Sequence, residues 1–127
     1  MSNLIDLTLS ELVTKIKSKE VLSTEVTKAY IERSKLSKKL NTYVEETFDK
    51  ALENSKKFDS KPDFNKKLPG IPFAVKDLFC TKNVKTTAGS KILENFTPTY
   101  ESTVTKNLWD AGAILLGKLN CDEFAMG

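Results

Sequence analysis

Histidine is absent from the 127 residues, and cysteine occurs only at Cys80 and Cys121. Without histidine, neither a Ser-His-Asp triad nor a Cys-His dyad can be assembled within this chain. A zinc site wants about four ligands, drawn mostly from Cys and His. Two cysteines make neither such a site nor a disulfide framework, and no metal ligand is assigned. They read as two reduced thiols of a cytoplasmic protein. Long hydrophobic runs are also missing: nothing approaches the ~20 apolar residues that cross a bilayer. Met1-Ser-Asn-Leu-Ile-Asp6 has neither the basic nor the apolar region of a secretory signal, so the expectation is no membrane partner. An excess of charge of either sign is small too. The net charge is +3, with 14 Lys+Arg against 11 Asp+Glu in residues 1–67 and six against six in residues 68–127. That mixed surface lacks the clustered basic stripe of a nucleic-acid-binding face.

What is present suits one small soluble domain: 39% hydrophobic residues for a core and 29% charged residues for a surface. Thr8-Leu-Ser-Glu11 has the form of a capping box. Leu9, Leu12, Val13 and Ile16 follow at helical spacing. Ser23 is the expected cap of a second helix, with Leu22, Val26, Ala29 and Tyr30 on one side. Lys38-Lys39 lies near that helix's end, where cations favour the helix dipole. Thr42-Tyr-Val44 suits a short strand. A third helix over about 47–58 presents Phe48, Ala51 and Leu52, and polar residues 59–67 read as a connecting loop.

The second half opens on Leu68-Pro-Gly-Ile-Pro-Phe-Ala-Val-Lys-Asp77. Pro69 fixes φ and Gly70 can take φ > 0, so the start is a turn. Ile71–Val75 is too short an apolar run for a stable helix and predicts a strand covered on both faces. Pro72 lacks an N–H and belongs at a bulge or beside an unpaired edge. Lys76 follows directly, and Leu78-Phe79-Cys80 resumes the apolar run. A lysine set between two apolar segments is expected to be desolvated. Burial disfavours an ammonium and lowers a lysine pKa, by up to roughly 3–5 units when complete. A lysine tuned in that way serves as a general base; a solvated lysine paired with Asp77 is the plainer alternative.

Residues 81–90 carry small hydroxyl side chains and a glycine, and read as a loop rather than a pocket lining. Ser90 is a cap for a short helix over 91–94 rather than a nucleophile. Ser102 caps a helix bearing Val104, Leu108 and Ala111, with Gly112 at C′. Ala113–Leu116 is a second strand, and strand, helical crossover, strand predicts a parallel pair. A last helical turn begins at Asn120 or Cys121. Gly112-Ala-Ile-Leu-Leu-Gly-Lys-Leu119 nearly matches the phosphate-binding loop G-x-x-x-x-G-K-[ST]. However, Leu119 replaces the Mg²⁺-binding hydroxyl, and the residues between the glycines are a strand rather than a loop of N–H donors. No strand precedes Gly112 and no long helix follows Lys118.

Five stretches together resemble the amidase signature family. They are Leu68–Asp77, Thr86-Thr87, Ser90-Lys-Ile-Leu-Glu-Asn-Phe96, Ala111–Asn120 and Asp122-Glu-Phe-Ala-Met-Gly127. The N-terminal Leu7-Thr-Leu-Ser-Glu-Leu12 and Ser23-x-x-Glu-Val-Thr27 are similar as well, so the resemblance covers nearly the whole chain. Asp122–Gly127 is similar to the tRNA-dependent amidotransferase branch; general amidases tend to carry Pro before the Glu. The resemblance implies an α/β fold: N-terminal helices packed on the start of a mixed, largely parallel sheet. Residues 1–67 form the helical part and 68–127 the start of the core, in one incomplete domain without a true boundary.

The implied chemistry is hydrolysis of glutamine. Lys76 is the catalytic base, acting through a serine on a cis peptide bond to activate a second serine. That serine attacks the carboxamide, giving an acyl-enzyme and ammonia. A Gly/Ser-rich loop supplies the oxyanion hole. The partners implied are the other subunits of a heterotrimer; one of them uses ATP and Mg²⁺ to activate glutamate on mischarged tRNA. No cofactor is implied for this chain itself. Both serines and the Gly/Ser-rich loop would lie beyond Gly127, so the chain reads as the N-terminal part of a longer protein, inactive alone. A part of a general amidase and a non-catalytic α/β binding module are the alternatives. The first expectation leaves apolar strand edges exposed, whereas a binding module would be a monodisperse monomer.

Overall fold

The computed structural model describes residues 3–127. Four α-helices and three strands follow one another along it: α1 (Leu9–Lys17), α2 (Ser23–Leu36), β1 (Tyr43–Glu46), α3 (Phe48–Ser60), β2 (Pro72–Lys76), α4 (Thr103–Asp110) and β3 (Ile114–Leu119). Thr8 and Glu11 close the expected capping box: Thr8 Oγ1 accepts from Glu11 N, and a Glu11 carboxylate oxygen accepts from Thr8 N. The bonds that Thr8 N and Thr8 Oγ1 donate to the carboxylate hold the Glu11 carboxyl below its ordinary pKa. Ser23 is not a cap. It is the first residue of α2, after Leu22, and its Oγ donates to Gly70 O at 2.5 Å. The free amides of this helix end, Ser23 N and Thr24 N, both donate to the Asp59 carboxylate at 2.9 Å. A side chain of α3, distant in sequence, thus performs the task that a local hydroxyl was expected to perform.

The sheet order is β1-β3-β2. The expected parallel pair is present: β2 runs parallel to β3, with Val75 level with Lys118 and Lys76 level with Leu119. β1 runs antiparallel on the other side of β3. The first strand is thus Tyr43–Glu46 rather than residues 42–44, and the last extends through Gly117-Lys118-Leu119. Pro72 pairs at the start of β2, next to a bulge between Phe73 and Ala74, as its missing N–H requires. The most buried strand is β3. β2 is half-buried over Pro72–Ala74, with only Val75 buried, because it is an edge of the sheet among the described residues.

Two apolar clusters hold the elements together. Ile31, Phe48, Ala51, Ile114 and Leu116 join α2 and α3 to β3, with Tyr43 edge-on to Phe48. Leu12, Ile16, Val26 and Ile71 join α1 and α2 to the turn that opens β2. Each buried Leu or Ile in these clusters contributes about 1.5–3 kcal/mol of apolar transfer. The β2–β3 crossover is a long loop followed by α4. Ser102 caps α4 by accepting from Thr105 N, and Gly112 (φ +100°) turns the chain into β3. The final turn, Glu123–Ala125, is not right-handed helix: Phe124 and Ala125 have φ of 53° and 57°.

Candidate functional site

Lys76 is the last residue of β2, at the C-terminal end of a parallel strand. Ligand sites of α/β sheets collect at that end. Its side chain is exposed, contrary to the expected desolvation. The cause is geometric. Among the described residues β2 is an edge strand, and Lys76 ends it, just past its one buried residue, Val75.

The buried lysine is its neighbour. Lys118 has no solvent exposure, and neither does Asp77. Adjacent residues of a strand point to opposite faces. Because Val75, not Lys76, is level with Lys118, the two lysines leave the sheet on opposite sides. Lys118 Nζ donates to Thr86 Oγ1 at 2.7 Å and to Phe79 O at 2.8 Å, and stands 3.5 Å from Asp77 Oδ1. Burial pushes the Lys118 amine below its ordinary pKa of 10.5, with Asp77, Cys80 and Glu101 pulling the other way. The lysine of the false phosphate-loop match is therefore committed to the protein's own atoms. The one hint of this in the sequence is the place of Lys118 inside the apolar run Ile114–Leu119.

The loop after Lys76 is bound tightly to that pair. Asp77 N donates to Leu119 O at 2.9 Å, continuing the parallel ladder. The Asp77 carboxylate accepts from Thr87 N at 3.1 and 3.2 Å and also from Thr87 Oγ1. Asp77 O accepts from Ala88 N at 2.8 Å. Residues 81–90 are a loop, as expected, but a closed one: Thr81, Thr86, Ala88 and Ser90 are buried. Ser90 is a cap, as expected. Its Oγ accepts from Ile92 N and donates to Glu123 Oε1 at 2.7 Å, so its proton is engaged. Ala88 O accepts from Phe124 N at 2.7 Å, which fastens the Asp122–Gly127 stretch to the loop beside Lys76. Ala88 at φ 50° and Phe124 at φ 53° are non-glycine residues in the left-handed region, an arrangement costing of order 1–3 kcal/mol each. Both lie within this junction.

Elsewhere, a cleft of about 850 Å³ opens between the start of α3 and the residue 81–84 turn, with Trp109 and Leu115 in its wall. Lys76 does not line it. Cys80 and Cys121 are both free and half-buried. Among the described residues, no helix is long and apolar enough to cross a membrane.

A family model described as "Amidase" matches residues 25–127. A glutamyl-tRNA(Gln) amidotransferase subunit from Pelagibacter ubique (strain HTCC1062) is 66% identical over 127 residues; the match takes in all of this chain and 26% of that protein. The same-named protein of Hyphomonas neptunium is 52% identical over 129 residues, again with 26% of its length covered. Solved structures agree on the fold. The native peptide amidase of Stenotrophomonas maltophilia superposes on 91% of this chain with a TM-score of 0.82 at 31% identity, over 25% of its own length. An amidase family protein from Bacillus anthracis gives 0.83 at 32% identity, over 94% of this chain and 25% of its own. The chain therefore spans about a quarter of the length of the relatives it matches.

Proposed function

The chain belongs to the amidase family, and from that premise we propose that it is the N-terminal quarter of the glutamine-hydrolysing component of a glutamyl-tRNA(Gln) amidotransferase, with Lys76 as its general base. The observation that carries this reading is 66% identity across all 127 residues to a protein of that name.

In the proposed reaction a serine Oγ attacks the glutamine carboxamide carbon. Lys76, acting through a bridging serine, takes up the hydroxyl proton and returns it to the nitrogen as the C–N bond breaks. Ammonia leaves, and water then hydrolyses the acyl ester to glutamate. Both serines belong to the part of the protein beyond these residues. The reading requires that part to cover the exposed face of Lys76, since a lysine works as a base only when its ammonium is disfavoured. Partner subunits would receive the ammonia, and one would use ATP and Mg²⁺ on mischarged tRNA.

The test is ammonia release from glutamine by the full-length protein in complex with its partners. Lys76→Ala should lower turnover at least about 10²-fold, the lower range for losing a general base. Residues 1–127 alone should release none. Unchanged turnover in Lys76→Ala would remove the base assignment. The likeness to a peptide amidase supports a second reading, a general amidase. Release of ammonia from peptide amides but not from glutamine would favour it.

A further inference from the structure

We propose that Asp77 and Lys118 are positioning residues for Lys76: a buried ion pair, tied to Thr86 and Thr87, that fixes where the end of β2 places the lysine. This rests on the base role given to Lys76 above.

The Lys76 side chain is exposed, so its placement depends on its backbone. On its C-terminal side the backbone is held at three points. Asp77 N is in the β3 ladder, Asp77 O takes the Ala88 amide, and Phe79 N donates to Lys76 O at 3.1 Å. The Asp77 side chain adds Thr87, and Lys118 Nζ reaches across to Phe79 O and Thr86 Oγ1. One ammonium thus binds the turn at 77–79 to the loop at 86–88. Both charges are fully buried, and they lie on the opposite side of the sheet from the Lys76 side chain.

A buried ion pair is weak evidence for stability, because desolvation offsets most of its Coulomb energy and well-packed apolar residues often do as well. Its position directly behind the proposed base points to a geometric role. A Thr-Thr step receives the two charges in register, Thr86 binding the lysine and Thr87 the aspartate. A shift of that step moves the Lys76 carbonyl and the Ala88–Phe124 junction together. Errors of about 1 Å in the placement of catalytic groups cost on the order of 10²-fold in rate.

The experiment uses the full-length protein in its complex, measuring ammonia release from glutamine per folded molecule, with folding scored by circular dichroism and the complex isolated by gel filtration. Thr86→Val and Thr87→Val keep shape and remove one hydroxyl each; Lys118→Met removes the charge. Each should lower kcat about 10-fold or more while KM changes less than about 2-fold, a placement error smaller than a full ångström. Lys118→Arg should recover part of the Lys118→Met loss. A structural role alone would lower the yield of folded complex and leave kcat per folded molecule unchanged. That result in the two valine variants overturns the proposal even if Lys118→Met does not fold. Lys76→Ala serves as the separate control. If it retains turnover, the base assignment fails; if it is inactive while the valine variants match wild type, only the positioning role fails.

Discussion

Lys76 and Lys118 leave paired strands on opposite faces, one exposed to solvent and the other wholly buried. Burial holds the Lys118 pKa below 10.5 in the folded chain, against the attraction of Asp77. Between that lowered pKa and 10.5 the unfolded chain binds more protons than the folded one, so stability rises with pH across this window. Below the lowered pKa both forms are protonated and Lys118 adds no slope. Urea titrations at closely spaced alkaline pH values should show the rise in the wild type and lose Lys118's share of it in Lys118→Met. An unchanged profile in the variant would show that Lys118 does not carry it.

Gly117 of β3 is level with Glu46 of β1 and, just past the β2 bulge, with Ala74. A Cβ there would collide with Glu45 O and come within 2.8 Å of Tyr43 Cδ1. Backbone cannot yield as a flexible side chain does. Gly117→Ala should therefore lower unfolding free energy by about 1–3 kcal/mol, the range for overpacking. A urea midpoint equal to wild type would mean that β1 moves aside freely.

Thr27 Oγ1 is buried in α2 with no hydrogen-bond partner among the described residues. Thr27→Val keeps the shape and removes the unsatisfied oxygen, so it should raise stability by about 1 kcal/mol, at the low end of the cost of an unsatisfied polar group. A decrease in the urea midpoint would point to a partner that the Thr27 hydroxyl finds in solution.

Among the described residues, β1 and β2 each have one unpaired edge, while Leu36, Ile92 and Met126 are more than 80% exposed. Open edges beside apolar surface favour association. Light scattering of residues 1–127 should show self-association that grows with concentration, together with binding of a hydrophobic dye. A monodisperse, cooperatively melting monomer would instead favour the binding-module reading.

Local physics made much of this legible in advance. The Thr8–Glu11 box, the Ser102 cap and Gly112 after α4 each depend on residues a few positions apart and form as expected; the apolar run of β2 is a strand, but a half-buried one rather than one covered on both faces. The Leu68–Asp77 stretch marked Lys76 as the candidate base, and the family followed from that stretch together with four others, among them Ala111–Asn120 and Asp122–Gly127. What the sequence could not supply is which groups meet across long separations. Asp59 caps α2 in place of Ser23 only once α2 and α3 pack together. Which of two strand lysines is desolvated depends on strand order and register, and these put Lys118 on the central strand and Lys76 at an edge. The residues alone specified where the chain turns, coils and extends, because those preferences act over single turns of backbone. Tertiary structure decided which charge is buried, because burial depends on everything packed around a side chain and not on its neighbours in sequence.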